Sequence, residues 1–152
     1  MVISEKLIEN FICETINSIG SDSLCDRGLD NPFFATKAFQ QLDLSPLGQA
    51  DIVTYGRHNE LVWIDILELK TNDIIIKDID QVMRYRKAVT EFLDGRFRSA
   101  ISVKVSCALI GYGVSSGEHI LDQLNQEGML DTYTYHWSLK SGIQFRDIHS
   151  NE

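Results

Sequence analysis

The sequence predicts an α/β domain in which helices flank a mixed β-sheet. Three observations carry that prediction. Helical apolar spacing appears near the start, after residue 78 and before Gly128. Between and after these stretches lie β-branched or alternating runs bounded by turn residues. Hairpins imply antiparallel neighbours, while helices between strands imply parallel crossovers. The 152 residues fit one domain, 1–152.

Residues 4–19 read as an amphipathic helix with Ser4 as N-cap and Gly20 at its end. Leu7, Ile8, Phe11, Ile12, Ile16 and Ile19 make its apolar stripe. Residues 20–47 carry the turn signals GSDS, GLDNP and LSPLG and read as irregular. ADIVTY, 50–55, is a strand, GRHNE a hairpin turn, and 61–70 a second strand. After the turn TND, IIIK reads as a short third strand, and Asp78 caps a helix reaching Leu93. ISVKVSCALIGYG, 101–113, is rich in β-branched residues and reads as a central strand. A helix over 116–128 ends at Gly128, and TYTYHWSL and GIQFRDI read as two closing strands. The order lacks the strict alternation of a doubly wound fold.

Composition narrows the class. Apolar residues make up 43 % and charged residues 24 %, as in an ordinary soluble protein. No apolar run reaches 18 residues, and the start MVISEKLIEN lacks a basic segment, so neither a membrane span nor a signal peptide is expected. Cys13, Cys25 and Cys107 are odd in number and include no C-x-x-C. This spacing argues for a reducing, cytoplasmic setting, against zinc or iron–sulfur ligation, and for buried side chains. The net charge of −8 disfavours nucleic acid, but residues 77–104 hold seven basic residues against four acidic ones. Salt screens charges beyond about 10 Å, so a local basic patch can bind phosphate on an acidic chain.

The strand LVWIDILELK poses the chemical question. Val62, Ile64 and Ile66 share one face, and the same face continues as Glu68 and Lys70. A surface ion pair would explain that alone. Asp51 lies one hairpin upstream, opposite the far end of this strand, and whether it shares the face depends on register. If it does, two repelling carboxylates need a cation, and oxygen ligands suit Mg²⁺. Downstream, Gln81 and Tyr85 are four residues apart on one helix face. A capping box under Asp78 and simple packing are their ordinary explanations.

Asp51, then Glu68-Leu69-Lys70, then QVMRY at 81–85, resembles the D…(D/E)-x-K…Q-x-x-x-Y signature of the PD-(D/E)XK, restriction-endonuclease-like nuclease superfamily. The likeness extends from residue 4 to about 90 and is greatest to the NucS-type and RecB-like nuclease domains. It departs at Ala50, where the signature has proline. The resemblance implies a metal-dependent deoxyribonuclease acting in DNA repair, recombination or defence. It implies Mg²⁺ or Mn²⁺ held by Asp51, Glu68 and the Leu69 carbonyl, with a glutamate of the first helix as a further ligand. Glu9 matches the family pattern better, and Glu5 is better placed by periodicity. Lys70 would be the catalytic cation, with Gln81 and Tyr85 orienting it or contacting DNA. Arg84, Arg86 and Lys87 are the candidate phosphate contacts. A homodimer would suit cleavage of both strands, and RNA stays open as a substrate. The rival reading is a catalytically silent nuclease fold that binds or regulates a protein. The aromatic face Tyr133, Tyr135 and Trp137 reads as core before it reads as a base-stacking platform.

Overall fold

The computed structural model describes residues 3–149. Its elements are α1 (Glu5–Ile19), α2 (Asp22–Cys25), β1 (Ala35–Asp43), β2 (Gln49–His58), β3 (Leu61–Leu69), α3 (Ile76–Leu93), β4 (Ser102–Gly111), α4 (Glu118–Gln126), β5 (Asp131–Ser138) and β6 (Gly142–Asp147). The six strands form one mixed sheet in chain order, β1-β2-β3-β4-β5-β6. The β1–β2, β2–β3 and β5–β6 pairs are antiparallel, and β3–β4 and β4–β5 are parallel. Each parallel pair is joined through a helix, as crossover geometry demands.

The two sheet faces bury separate cores. One gathers Ile8, Ile12 and Ile16 of α1 with Ile52, Leu67, Leu69 and Tyr133. The other gathers Ile79, Val82 and Tyr85 of α3 with Val53, Ile64, Ile66 and Leu109. With both faces covered, β3 is apolar nearly throughout. Among the described residues, no helix is long and apolar enough to cross a membrane.

Several expectations change. Residues 35–43, read as irregular, form the edge strand β1, whose mostly exposed polar side chains hid any alternation. IIIK is not a strand: Ile74 makes an isolated bridge to Val114, and Ile76 already opens α3. Asp78 is accordingly not the N-cap but sits three residues inside, accepting the Ile75 N–H at 3.0 Å. Ser4 does cap α1, its Oγ accepting the Leu7 N–H, a bond worth about 1 kcal/mol. The α1 stripe is rotated, however. Leu7 and Ile19 are exposed, while Glu9 and Cys13 are buried. Cys13 and Cys107 are buried as expected, but Cys25 is exposed. Tyr133 and Tyr135 are core residues, with Trp137 packed against them.

Candidate active site

The register answers the question that Asp51 raised. Val53 pairs with Ile66 and Ile52 with Leu67, where the ladder ends; carried one step further, the same register runs Asp51 toward Glu68. There the ladder gives way to side chains. Glu68 Oε1 accepts the Asp51 N–H at 2.9 Å, and Asp51 Oδ2 accepts the Leu69 N–H at 2.8 Å. Lys70, one residue on, turns its N–H to Ile110 of β4 at 2.8 Å. Glu68 is 3 % exposed. Burial, and then the neighbouring Asp51 charge, push its pKa up to about 8.

The Lys70 ammonium lies 3.6 Å from Asp78, at the start of α3. It sits in a cleft of about 820 Å³, lined also by Glu5, Thr71, Asp73 and Tyr112. Tyr112 is exposed and meets Tyr135 edge-on, with ring centroids 6.2 Å apart. On α3, Gln81 donates to the Tyr85 hydroxyl at 2.9 Å. Tyr85 is buried, and desolvation followed by the Glu68 charge raises its pKa. The turn between β1 and β2 closes over that hydroxyl. Gly48 has φ 124°, and a Cβ there would lie 2.7 Å from the Tyr85 oxygen, so a side chain would strike the hydroxyl.

The two candidate glutamates part ways. Glu5 faces the cleft, its carboxylate accepting the Thr71 N–H at 3.1 Å. Glu9 reaches the acid pair indirectly, through Gln41 of β1. Gln41 Nε2 donates to both Glu9 oxygens at 3.2 Å and to Asp51 Oδ1 at 3.3 Å. Neither Gln41 nor Tyr112 stood out in the sequence, since a glutamine in a stretch read as irregular and a tyrosine at the end of a β-branched run carry no spacing signal.

The basic candidates also separate. Arg84 is exposed and, with Lys77, Gln81 and Tyr85, lines a small hollow. Lys87, one helical turn on, is exposed as well. Arg86 is half-buried, with its Nε buried and unpartnered, and its charge acts on the buried Cys107 thiol. Residues two apart leave a helix on opposing sides, so α3 cannot present Arg84 and Arg86 together.

The donor set fits a divalent metal. Two oxygen-donor carboxylates meet across adjacent strands, and the strain of placing the buried one beside its neighbour shows in a pKa raised by burial and then by the Asp51 charge. Among the described residues, no three His, Cys, Asp or Glu side chains converge as a ligand group. Magnesium sites commonly use one or two carboxylates and complete the shell with water.

No protein-family model matches the chain, and no curated protein matches it in sequence. Solved structures do. A repair endonuclease from Pyrococcus abyssi aligns over 87 % of this chain and 46 % of its own, with TM-score 0.54 and 20 % identity. A structure of the EndoMS–dsDNA2 complex aligns over 86 % and 44 %, with TM-score 0.53 and 17 % identity. The chain therefore shares the fold of the matched part of these two proteins. The chain spans under half the length of either neighbour.

Proposed function

We propose that this domain is a metal-dependent nuclease that hydrolyses DNA phosphodiester bonds at the Asp51–Glu68–Lys70 end of the sheet. The observation that carries the reading is the pair of hydrogen bonds that ties Asp51 to the end of β3, its N–H donating to Glu68 Oε1 and its Oδ2 accepting the Leu69 N–H, with Lys70 the next residue along. Two further facts support it. The fold is shared with a repair endonuclease, and another neighbour was captured with double-stranded DNA.

Asp51, Glu68 and the Leu69 carbonyl would hold Mg²⁺ or Mn²⁺. When bound, such an ion supplies positive charge that polarises a phosphoryl oxygen and acidifies a water. Lys70 would add a positive donor for the phosphate or the attacking water, and Asp78 keeps its ammonium at the mouth of the cleft. Gln81 and Tyr85 would fix the Glu68 side of the site, the tyrosine hydroxyl being already oriented by the amide. Arg84, Lys77 and Lys87 would contact the DNA backbone, which positions a duplex without reading its sequence.

One observation favours the silent alternative. The cleft wall carries Glu5, Asp73 and Asp78 against Lys70, a balance that repels phosphate unless cations enter. Incubating supercoiled plasmid with the protein separates the readings. Nicking with Mg²⁺ or Mn²⁺ that disappears in EDTA and in Lys70→Ala supports the nuclease. Intact nicking in Lys70→Ala or Asp51→Ala would remove this site from consideration. A panel of single-stranded, duplex, mismatched and branched DNA, with RNA alongside, would define the substrate.

A further inference from the structure

Gln41 combines a strained backbone with an unusual set of partners. It lies in β1 with φ 52°, the left-handed region that a side-chain-bearing residue enters at a cost. The strand register around it runs Gln40–Ile52 and Leu42–Ala50, which sets Gln41 opposite Asp51. Asp51 in turn donates its N–H to Glu68 Oε1 at 2.9 Å. One row across three strands therefore reads Gln41, Asp51, Glu68. From that row the Gln41 amide reaches both oxygens of Glu9, on α1, while keeping Asp51 Oδ1 within 3.3 Å.

Glu9 is 3 % exposed, so its carboxylate needs a donor. Its cationic neighbour is Lys6 at 3.6 Å, whose side chain is largely in solvent and gives little. A single neutral N–H₂ group thus stands between two carboxylates from different elements, within hydrogen-bond distance of both. A cation placed there would relieve the same repulsion more strongly than an amide dipole can.

We propose that Gln41 is a positioning residue of the metal site, whose amide holds Glu9 beside Asp51 in the metal-free protein and competes with the metal ion for both. The inference rests on the metal-site reading above. It explains why Glu9, which the register of α1 brings close, stays one amide away from the acid pair. It also explains why a non-glycine residue accepts a left-handed conformation in an edge strand. Without the amide, Glu9 and Asp51 lose their shared donor in the metal-free state, and an incoming ion no longer has to displace it.

Calorimetric titration with Mn²⁺, and thermal unfolding in EDTA or in Mn²⁺, test this without reference to cleavage. Gln41→Leu is expected to bind Mn²⁺ about tenfold more tightly than wild type. It should also melt lower in EDTA and gain more in Tm on adding Mn²⁺. Gln41→Gly removes the amide while tolerating φ 52°, so it carries the same comparison if the leucine variant does not fold. Affinity equal to or weaker than wild type in the glycine variant overturns the inference. If wild type binds Mn²⁺, Asp51→Asn abolishes binding and the Gln41 variants match wild type, this inference alone fails. If wild type and Asp51→Asn are alike in failing to bind, the metal-site reading fails and takes the inference with it.

Discussion

Two sets of acids lie inside this sheet, and they are treated in opposite ways. Asp65 and Glu68 sit three residues apart on β3 and therefore point to opposite faces. Asp65 is fully buried, accepting the Phe33 N–H at 3.1 Å and the Ser106 hydroxyl. Its neighbour Asp131 accepts from Asn31 at 3.0 Å and from Asn125 at 3.3 Å. Neutral donors surround these acids, which tie the 31–33 segment to the central strands. Glu68 takes a backbone N–H from Asp51 and otherwise faces that residue's carboxylate. Asp65 is thus enclosed by donors, whereas Glu68, the proposed site acid, is set against another acid. Burial alone does not tell them apart, because it raises the pKa of both.

The largest test of this contrast is on activity. Asp51→Asn or Lys70→Ala should lower metal-dependent nicking by about 10³-fold with little change in Tm. Asp65→Asn should leave the rate within about threefold of wild type, as read by plasmid relaxation. On stability the order reverses. Asp65→Ala strands the Phe33 N–H and the Ser106 hydroxyl, and should cost about 2–3 kcal/mol in urea unfolding.

pH sharpens the comparison further. The folded pKa of each acid lies above its ordinary value, so each contribution to stability is complete at low pH and is lost as pH rises through the folded value. For Asp65 that value is about 6, and for Glu68 about 8. Between pH 6 and 8 the metal-free protein should therefore lose about 2 kcal/mol, mostly through Glu68. Denaturation curves of Glu68→Gln should be flatter over that window, and a slope as steep as wild type would contradict the assignment. The smallest effect concerns the cations on α3. Arg84→Ala should reduce the salt slope of DNA binding by about one and weaken all sequences alike. Arg86→Ala should instead change thermal stability and leave the slope unchanged.

Helices α1, α3 and α4, the β2–β3 hairpin and the central strand β4 were legible in the sequence because buried faces impose a period, whereas the single turn of α2 lay in a stretch read as irregular. The acid pair was legible as far as the hairpin allowed, since a tight turn at Asn59 and Glu60 brings position 51 toward 68. What stayed hidden has no period. β1 is an edge strand with mostly exposed residues, so neither it nor Gln41 left a pattern. Glu9 read as lying outside the apolar stripe because periodicity counts apolar residues, and this acid is buried by a polar partner instead. Arg86 and Arg84 looked equivalent in a basic run, and only the packing of α3 on the sheet distinguishes them.

The sheet order repeats the chain order, and this bears on how the protein folds. Every strand lies beside its sequence neighbour, so the sheet can grow outward from local pairs without threading a strand between two already joined. The earliest local pair that matters here is the β2–β3 hairpin, whose contacts span few residues and whose closure costs little entropy. That hairpin already contains Asp51 and Glu68. The repulsion between the acids is therefore built into a local unit, and the crossover through α3 and the parallel docking of β4 must enclose it afterwards.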